Sequence, residues 1–195
     1  MKRLALLTAA LVAPLGAETL SRGDRDFAMS HLHAGAKVFL DSLAGLSEEQ
    51  WKFKPAADRW SIAEVAEHIT VTEDFLFKAL TEKILKSEPV KERKPASREQ
   101  DEQFLKMILD RSQKRTAPEP VRPSTRWASR EALIDEFKKL RERTLAYVET
   151  TQDDLRGFAG ENFDGWQLLL LMAAHPERHT AQINEVKADP NYPKR

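Results

Sequence analysis

"DGWQLLLLMAAHPERHTAQINEVKADP", residues 164–190, reads as one long helix. From Trp166 to Ala174 it is apolar on nearly every side, so its first half lies buried among other elements. Pro190 marks its end. Two histidines, His175 and His179, stand one turn apart with Pro176 between them. An internal proline costs a helix interior about 3 kcal/mol, here through the amide bond to the Met172 carbonyl. It either kinks the helix and re-aims His175 or merely accommodates packing.

Three more long helices precede this one. Leu20 to Leu43 carries Phe27, His31, Ala34, Val38 and Leu43 at three- to five-residue steps, which predicts that face as the buried stripe, and Gly45 is its stop signal. "LSEEQWKFKPAADRW" (46–60) reads as a connection, since Pro55 bars a continuous helix. "SIAE" (61–64) has the capping-box form and opens a second helix. Its stripe is Val65, Ile69, Thr72, Phe75, Leu76 and Leu80, and it ends near Lys86. Residues 87–126 are polar and hold Pro89, Pro95, Pro118, Pro120 and Pro123, with one modest helical stretch around Phe104 to Leu109. A crossover this long usually has a job. Ser129 caps a third helix with Leu133, Phe137, Leu140, Tyr147 and Val148 along one side. No segment alternates as a strand does. The expected fold is all-α: a four-helix bundle with a long crossover between the second and third helices.

A chain of 195 residues suits one domain. The 31 basic and 31 acidic residues cancel, which gives no electrostatic reason for a nucleic-acid or anionic-membrane partner. The chain has no cysteine, which excludes disulfides, thiolate nucleophiles and cysteine-type zinc sites. Lys2 and Arg3 precede the short apolar run "LALLTAALVAPLG", then Ala17. That is the order of a secretory signal, too short for a membrane span, although Leu15 stands where a small residue is preferred. Residues 1–17 are therefore expected to be removed. Residues 18–195 would be the exported domain, periplasmic or extracellular. There is no glycine-rich phosphate loop and no Gly-x-Ser-x-Gly elbow.

Chemistry is concentrated in the histidines. On a helix His175 and His179 lie about 40° apart, with roughly 6 Å between their Cβ atoms, which lets two imidazoles share one ion. A third ligand should come from another helix. His31 and His33 face nearly opposite sides of the first helix and read as surface or packing residues. His68 borders the apolar stripe of the second helix and is the better choice. Three imidazoles leave one position open on a tetrahedral ion, which would polarise a bound water or sulfur. Zinc is the default for nitrogen ligands, and nickel or iron also accept them. The His-Glu-x-x-His protease pattern does not apply: Pro176 follows the first histidine, and Glu177 sits about 200° round the helix from it. Gln182 shares the histidine face. Glu64 either orients His68 or completes the box with Ser61. Trp60, Trp127 and Trp166 sit beside helix starts and read as packing anchors. No catalytic residue is assigned, and without a metal the histidines would simply serve the core.

"WSIAEVAEHI" (60–69), "APEPVRPSTRW" (117–127) and "AAHPERHTAQI" (173–183) together resemble the DinB-like family, also called DinB/YfiT, over most of residues 30–193. The resemblance implies a four-helix bundle with a long connection between its second and third helices. It also implies a divalent metal, often zinc or nickel, on three histidines that map onto His68, His175 and His179. Pro176 departs from the family's usual filler. Some relatives are thiol-dependent transferases or isomerases, and many are described only as metal-dependent hydrolases. The implied partner is an unidentified small molecule. Homodimers occur among relatives, but no interface is legible in one chain. The alternative to an enzyme is a non-catalytic metal-binding or interaction module of the same fold.

Overall fold

A computed structural model describes residues 19–91 and 97–194, so the signal-like segment 1–17 and Pro95 lie outside the described residues. Among the described residues six α-helices occur in the order α1 Arg22–Leu43, α2 Glu48–Lys52, α3 Ile62–Lys78, α4 Arg98–Leu109, α5 Arg130–Thr150 and α6 Gly165–Lys187. The long four are α1, α3, α5 and α6. Among the described residues the only β-type pairings are two isolated bridges, Pro89 with Phe158 and Ala159 with Asp164.

The helix starts follow from capping chemistry. Ser61 accepts from the Glu64 amide while Glu64 reaches back to the Ser61 amide, and Ser129 accepts from the Ala132 amide. Asp164 and Gln167 form the same reciprocal box at the start of α6. Gly45, beyond the end of α1, takes a φ of 66°, the left-handed stop that glycine adopts without a Cβ penalty. The connection after α1 contains a helix where none is expected. Ser47 and Gln50 make a further capping box, and Pro55 bars helix only in the stretch beyond α2. The second long helix reaches Lys86 as expected, but its last turns loosen into a π turn at Ala79–Lys83 and a 3₁₀ turn at Ile84–Lys86.

Both α1 and α3 border α5 and α6, so the four long helices form a ring with α1 opposite α3 and α5 opposite α6. The core is two apolar clusters, one at each end. One gathers Leu32, Leu76, Leu80, Val148, Trp166 and Met172; the other gathers Phe39, Ile62, Ile69, Leu133, Phe137 and Ile183. Between the clusters each long helix brings in a small or polar residue: Gly35 on α1, then buried His68, Thr70, Thr72 and Glu73 on α3, Arg141 and Thr144 on α5, and His175 and His179 on α6. The bundle is therefore cut across its middle by a polar layer.

One guanidinium ties that layer together. Arg141 on α5, 3% exposed, donates to the Glu73 carboxylate of α3 (2.8 Å), to the Leu32 carbonyl of α1 (3.3 Å) and to the Met172 carbonyl of α6 (3.2 Å). Thr144 gives Glu73 a second donor at 2.9 Å. The Met172 carbonyl is the acceptor that Pro176 leaves without its helical amide. Arg141 thus supplies the missing bond, and α6 runs unbroken through its proline.

The stripe expected on α1 is out of phase except at Leu43. The buried residues are Ala28, Leu32, Gly35, Phe39, Ser42 and Leu43, while Val38 is 38% exposed. Size explains the shift. A Cβ on Gly35 would stand 2.4 Å from the Ala173 carbonyl oxygen, so α1 meets α6 backbone to side-chain-free backbone. Gly35→Ala is expected to destabilise the protein by about 1–3 kcal/mol through this overpacking. Chemical denaturation measures it, and an unchanged midpoint would contradict the close approach.

Candidate metal centre

The polar layer opens on one side into the site. His68, two turns into α3, and His175 and His179 on α6 meet there. Their ring centroids lie 5.0 Å (68 to 175), 4.6 Å (68 to 179) and 4.4 Å (175 to 179) apart. One ring nitrogen from each falls within 4.8 Å of the other two. Among the described residues this is the group of three or more histidine, aspartate or glutamate side chains with metal-holding spacing. His31 instead packs edge-on against Phe27, and His33 is exposed.

Two of the rings are held by their other nitrogen. His68 Nδ1 lies 2.7 Å from the Val121 carbonyl oxygen, so it carries the proton and donates, which leaves Nε2 with a free lone pair. His179 Nδ1 stands 2.8 Å from Gln182 Oε1, and Arg111 donates to that same oxygen at 3.5 Å. Gln182 is then an acceptor, His179 Nδ1 a donor, and Nε2 is again free. The donor set fits a divalent ion: three neutral nitrogens close together, two of them on rings whose tautomer is fixed by a bond at the other nitrogen.

Glu64 does not take part. It completes the box with Ser61 and pairs with Lys54 at 2.9 Å. The orienting group on His68 is a main-chain carbonyl instead, and the crossover that carries it is clamped from two sides. Glu67, next to His68 and 6% exposed, accepts amide bonds from Ser124 (2.7 Å), Thr125 (2.9 Å) and Arg126 (3.2 Å). These bonds hold Thr125 at a φ of 61°, an uncommon conformation for a β-branched residue. Arg178 on α6 donates to the Ile108 (2.7 Å), Asp110 and Gln113 (3.2 Å) carbonyls at the end of α4. The Trp60 ring lies 5.1 Å from the His68 ring, tilted 52° to it, so it walls the site besides anchoring a helix start. Trp166 is fully buried, as an anchor should be. Glu177 is exposed, away from the histidine face.

The three histidines line a cavity of about 630 Å³, bounded by α3, α6, the end of α4 and the crossover. That volume lies within the ordinary range for small-molecule sites. His68 is 4% exposed, and His175 and His179 are partly exposed.

Burial holds all three imidazoles neutral. His68 is lowered by desolvation, with its Val121 bond opposing. His175 is held well below the usual histidine value by burial, then by the charges of His179, His68 and Arg141. His179 is brought down by burial to about 3. Neutral imidazole is the form that binds metal. In metal-free protein the unfolded chain then binds more protons than the folded one from about pH 6.5 downward, so stability rises with pH across that window and falls on acidification. Glu73 and Asp164, both raised by burial, oppose this with the other sign. With three groups against two, the denaturation midpoint of chelator-treated protein should drop between pH 7.5 and pH 5.5, and a flat profile would contradict buried neutral histidines.

Comparison with known proteins agrees with this architecture. The model of the DinB superfamily matches residues 31–183. YuaE of Bacillus subtilis (strain 168), described as uncharacterized, is 28% identical over 152 residues, covering 75% of this chain and 89% of that protein. YfiT from Bacillus subtilis, described as a probable metal-dependent hydrolase with an unusual four-helix bundle topology, aligns with a TM-score of 0.53 over 89% of this chain and 94% of that one. At 16% identity this last likeness speaks to the fold alone.

Proposed function

The chain belongs to the DinB superfamily, and from that premise we propose that it holds a divalent metal through His68, His175 and His179 and acts as a metal-dependent hydrolase or transferase on a small molecule. The observation that carries this reading is the convergence of three ring nitrogens within 4.8 Å on the wall of an open cavity. Three ligands leave room for an exchangeable group, the mark of a reactive rather than a structural site. When bound, the ion supplies Lewis-acid polarisation of a substrate oxygen or sulfur. Zinc is the expected metal for this all-nitrogen set, with nickel and iron as alternatives.

The chain's own residues do the rest. The Val121 carbonyl and Gln182 keep His68 and His179 in the tautomers that present Nε2. Trp60 and Leu76 shield one side of the cavity from water. YfiT, which shares the fold, is described as a probable metal-dependent hydrolase, so hydrolysis is the first activity to assay. No thiol of the chain itself competes, since it has no cysteine.

A second reading, a non-catalytic metal-binding module, is favoured by one observation. Glu185, a carboxylate on the cavity wall, is claimed by Arg111 (2.9 Å) and Arg59 (3.6 Å) and is not free to act as a base. A screen of ester, amide and thiol-transfer substrates on metal-loaded protein separates the two. Turnover lost to chelator and restored by zinc supports the enzyme. Full metal occupancy with no turnover across the screen supports the module. Export is proposed on residues 1–17 alone, and a mature N-terminus at Glu18 in secreted material would support it.

A further inference from the structure

Resting on the reading of this cavity as a substrate site, we propose that it takes a small organic anion, with an apolar body beside the three histidines and a carboxylate or phosphate group at a basic mouth. Six cationic side chains line the cavity: Arg59, Arg111, Lys114, Arg115, Arg122 and Arg178. Only two carboxylates, Asp58 and Glu185, accompany them. The whole chain carries 31 charges of each sign, so this excess is local and not inherited from composition.

The positive charge is only partly neutralised within the protein. Glu185 is shared by Arg111 and Arg59. Arg178 donates to main-chain carbonyls, and Arg122 to the Ala117 carbonyl at 2.9 Å; neutral acceptors satisfy hydrogen bonds without cancelling charge. Burial, Arg111 and Arg115 all weigh against the charge on Arg178, and Asp110 and Glu185 offset only part of that. Lys114 and Arg115 are exposed and make no close ion pair among the described residues, although the Lys114 charge reaches Glu185. Clustered cations that repel one another round a recess are stabilised by an anion, and a cleft with low-dielectric walls focuses their field. Trp60, Phe75, Phe163 and Leu171 supply the apolar walls. A recess of about 630 Å³ is sized for a small molecule rather than for a nucleic-acid backbone.

Calorimetric titration of metal-loaded protein with 4-phenylbutyrate, phenyl phosphate and the neutral 4-phenylbutan-1-ol tests this. At least one anion should bind about 10-fold or more tightly than the alcohol, as charge-assisted bonds require. The tighter of the two anions identifies the head group. The gap should close in the Lys114→Glu/Arg115→Glu double variant, whose changes fall on exposed residues, and shrink in about 0.5 M salt. Metal content measured on the same samples keeps the two ideas apart. An anion preference that persists in metal-poor His179→Ala protein supports this inference whatever becomes of the metal. Full metal with equal affinity for acid and alcohol overturns this inference alone. Absence of binding by all three probes, a gap that survives charge reversal, or tight binding of an oligonucleotide in their place would also overturn it.

Discussion

His179→Ala protein, purified beside wild type without a histidine tag, should retain less than about a tenth of the wild-type metal, because two imidazoles rarely hold an ion that three hold well. The ring contributes one of three converging nitrogens and is partly exposed to the cavity, so its loss opens no sealed void in the core. The fold should survive, and the far-ultraviolet spectrum should be unchanged. His68→Ala should lose metal to the same degree. Gln182→Ala should do less, weakening affinity about 10- to 100-fold, since it removes the group that orients His179 and not a ligand. Elemental analysis and zinc titration read all three. Full metal occupancy in either histidine variant would contradict the assignment.

Arg141→Ala is expected to destabilise the fold by about 3–5 kcal/mol, the usual cost of leaving a buried charge without its partner. The side chain is 3% exposed, and its loss would strand three acceptors at once: the Glu73 carboxylate and the carbonyls of Leu32 and Met172. The Met172 acceptor has no alternative, because Pro176 lacks the amide that would ordinarily satisfy it. Replacing Glu73 and Arg141 together with apolar residues of similar volume should recover much of the loss, since a well-packed apolar pair often matches a buried ion pair. Urea unfolding of single and double variants measures both. A single-variant loss below about 1 kcal/mol would show that the guanidinium does not tie the four long helices as its bonds indicate.

The legible part of the fold was written in local chemistry. Ser61 with Glu64, Ser129 and Gly45 mark helix ends by groups that act within a few residues, so their meaning survives without the rest of the molecule. The α1 phase was only partly legible: Leu43 lies on the buried face as expected, but beside Leu32 and Phe39 that face is completed by Ala28 and Gly35, whose smallness lets α6 approach and which a search for apolar bulk passes over. The box of Ser47 and Gln50 was present in the letters but hidden by Pro55 downstream.

Much the same division holds for the site. His175 and His179 announce themselves by spacing, and His68 by its place beside an apolar stripe. Their supports are harder to see. The group that orients His68 is the main chain of Val121, and no side-chain identity encodes a carbonyl's direction. Glu64 was a reasonable candidate on spacing, but its carboxylate is spent on the Ser61 amide and Lys54. The basic mouth was masked by the chain's overall neutrality, since only folding gathers Arg59, the crossover cations and Arg178 round one recess.

All of the proposed chemistry depends on His68, His175 and His179 meeting at one ion. Elemental analysis of untagged wild-type protein, purified without chelator and then titrated with zinc, examines that meeting itself. About one divalent ion per chain, bound through the three histidines, is the predicted outcome. Metal-free protein that takes up no zinc on titration would leave the helical bundle standing and remove the metal centre from it.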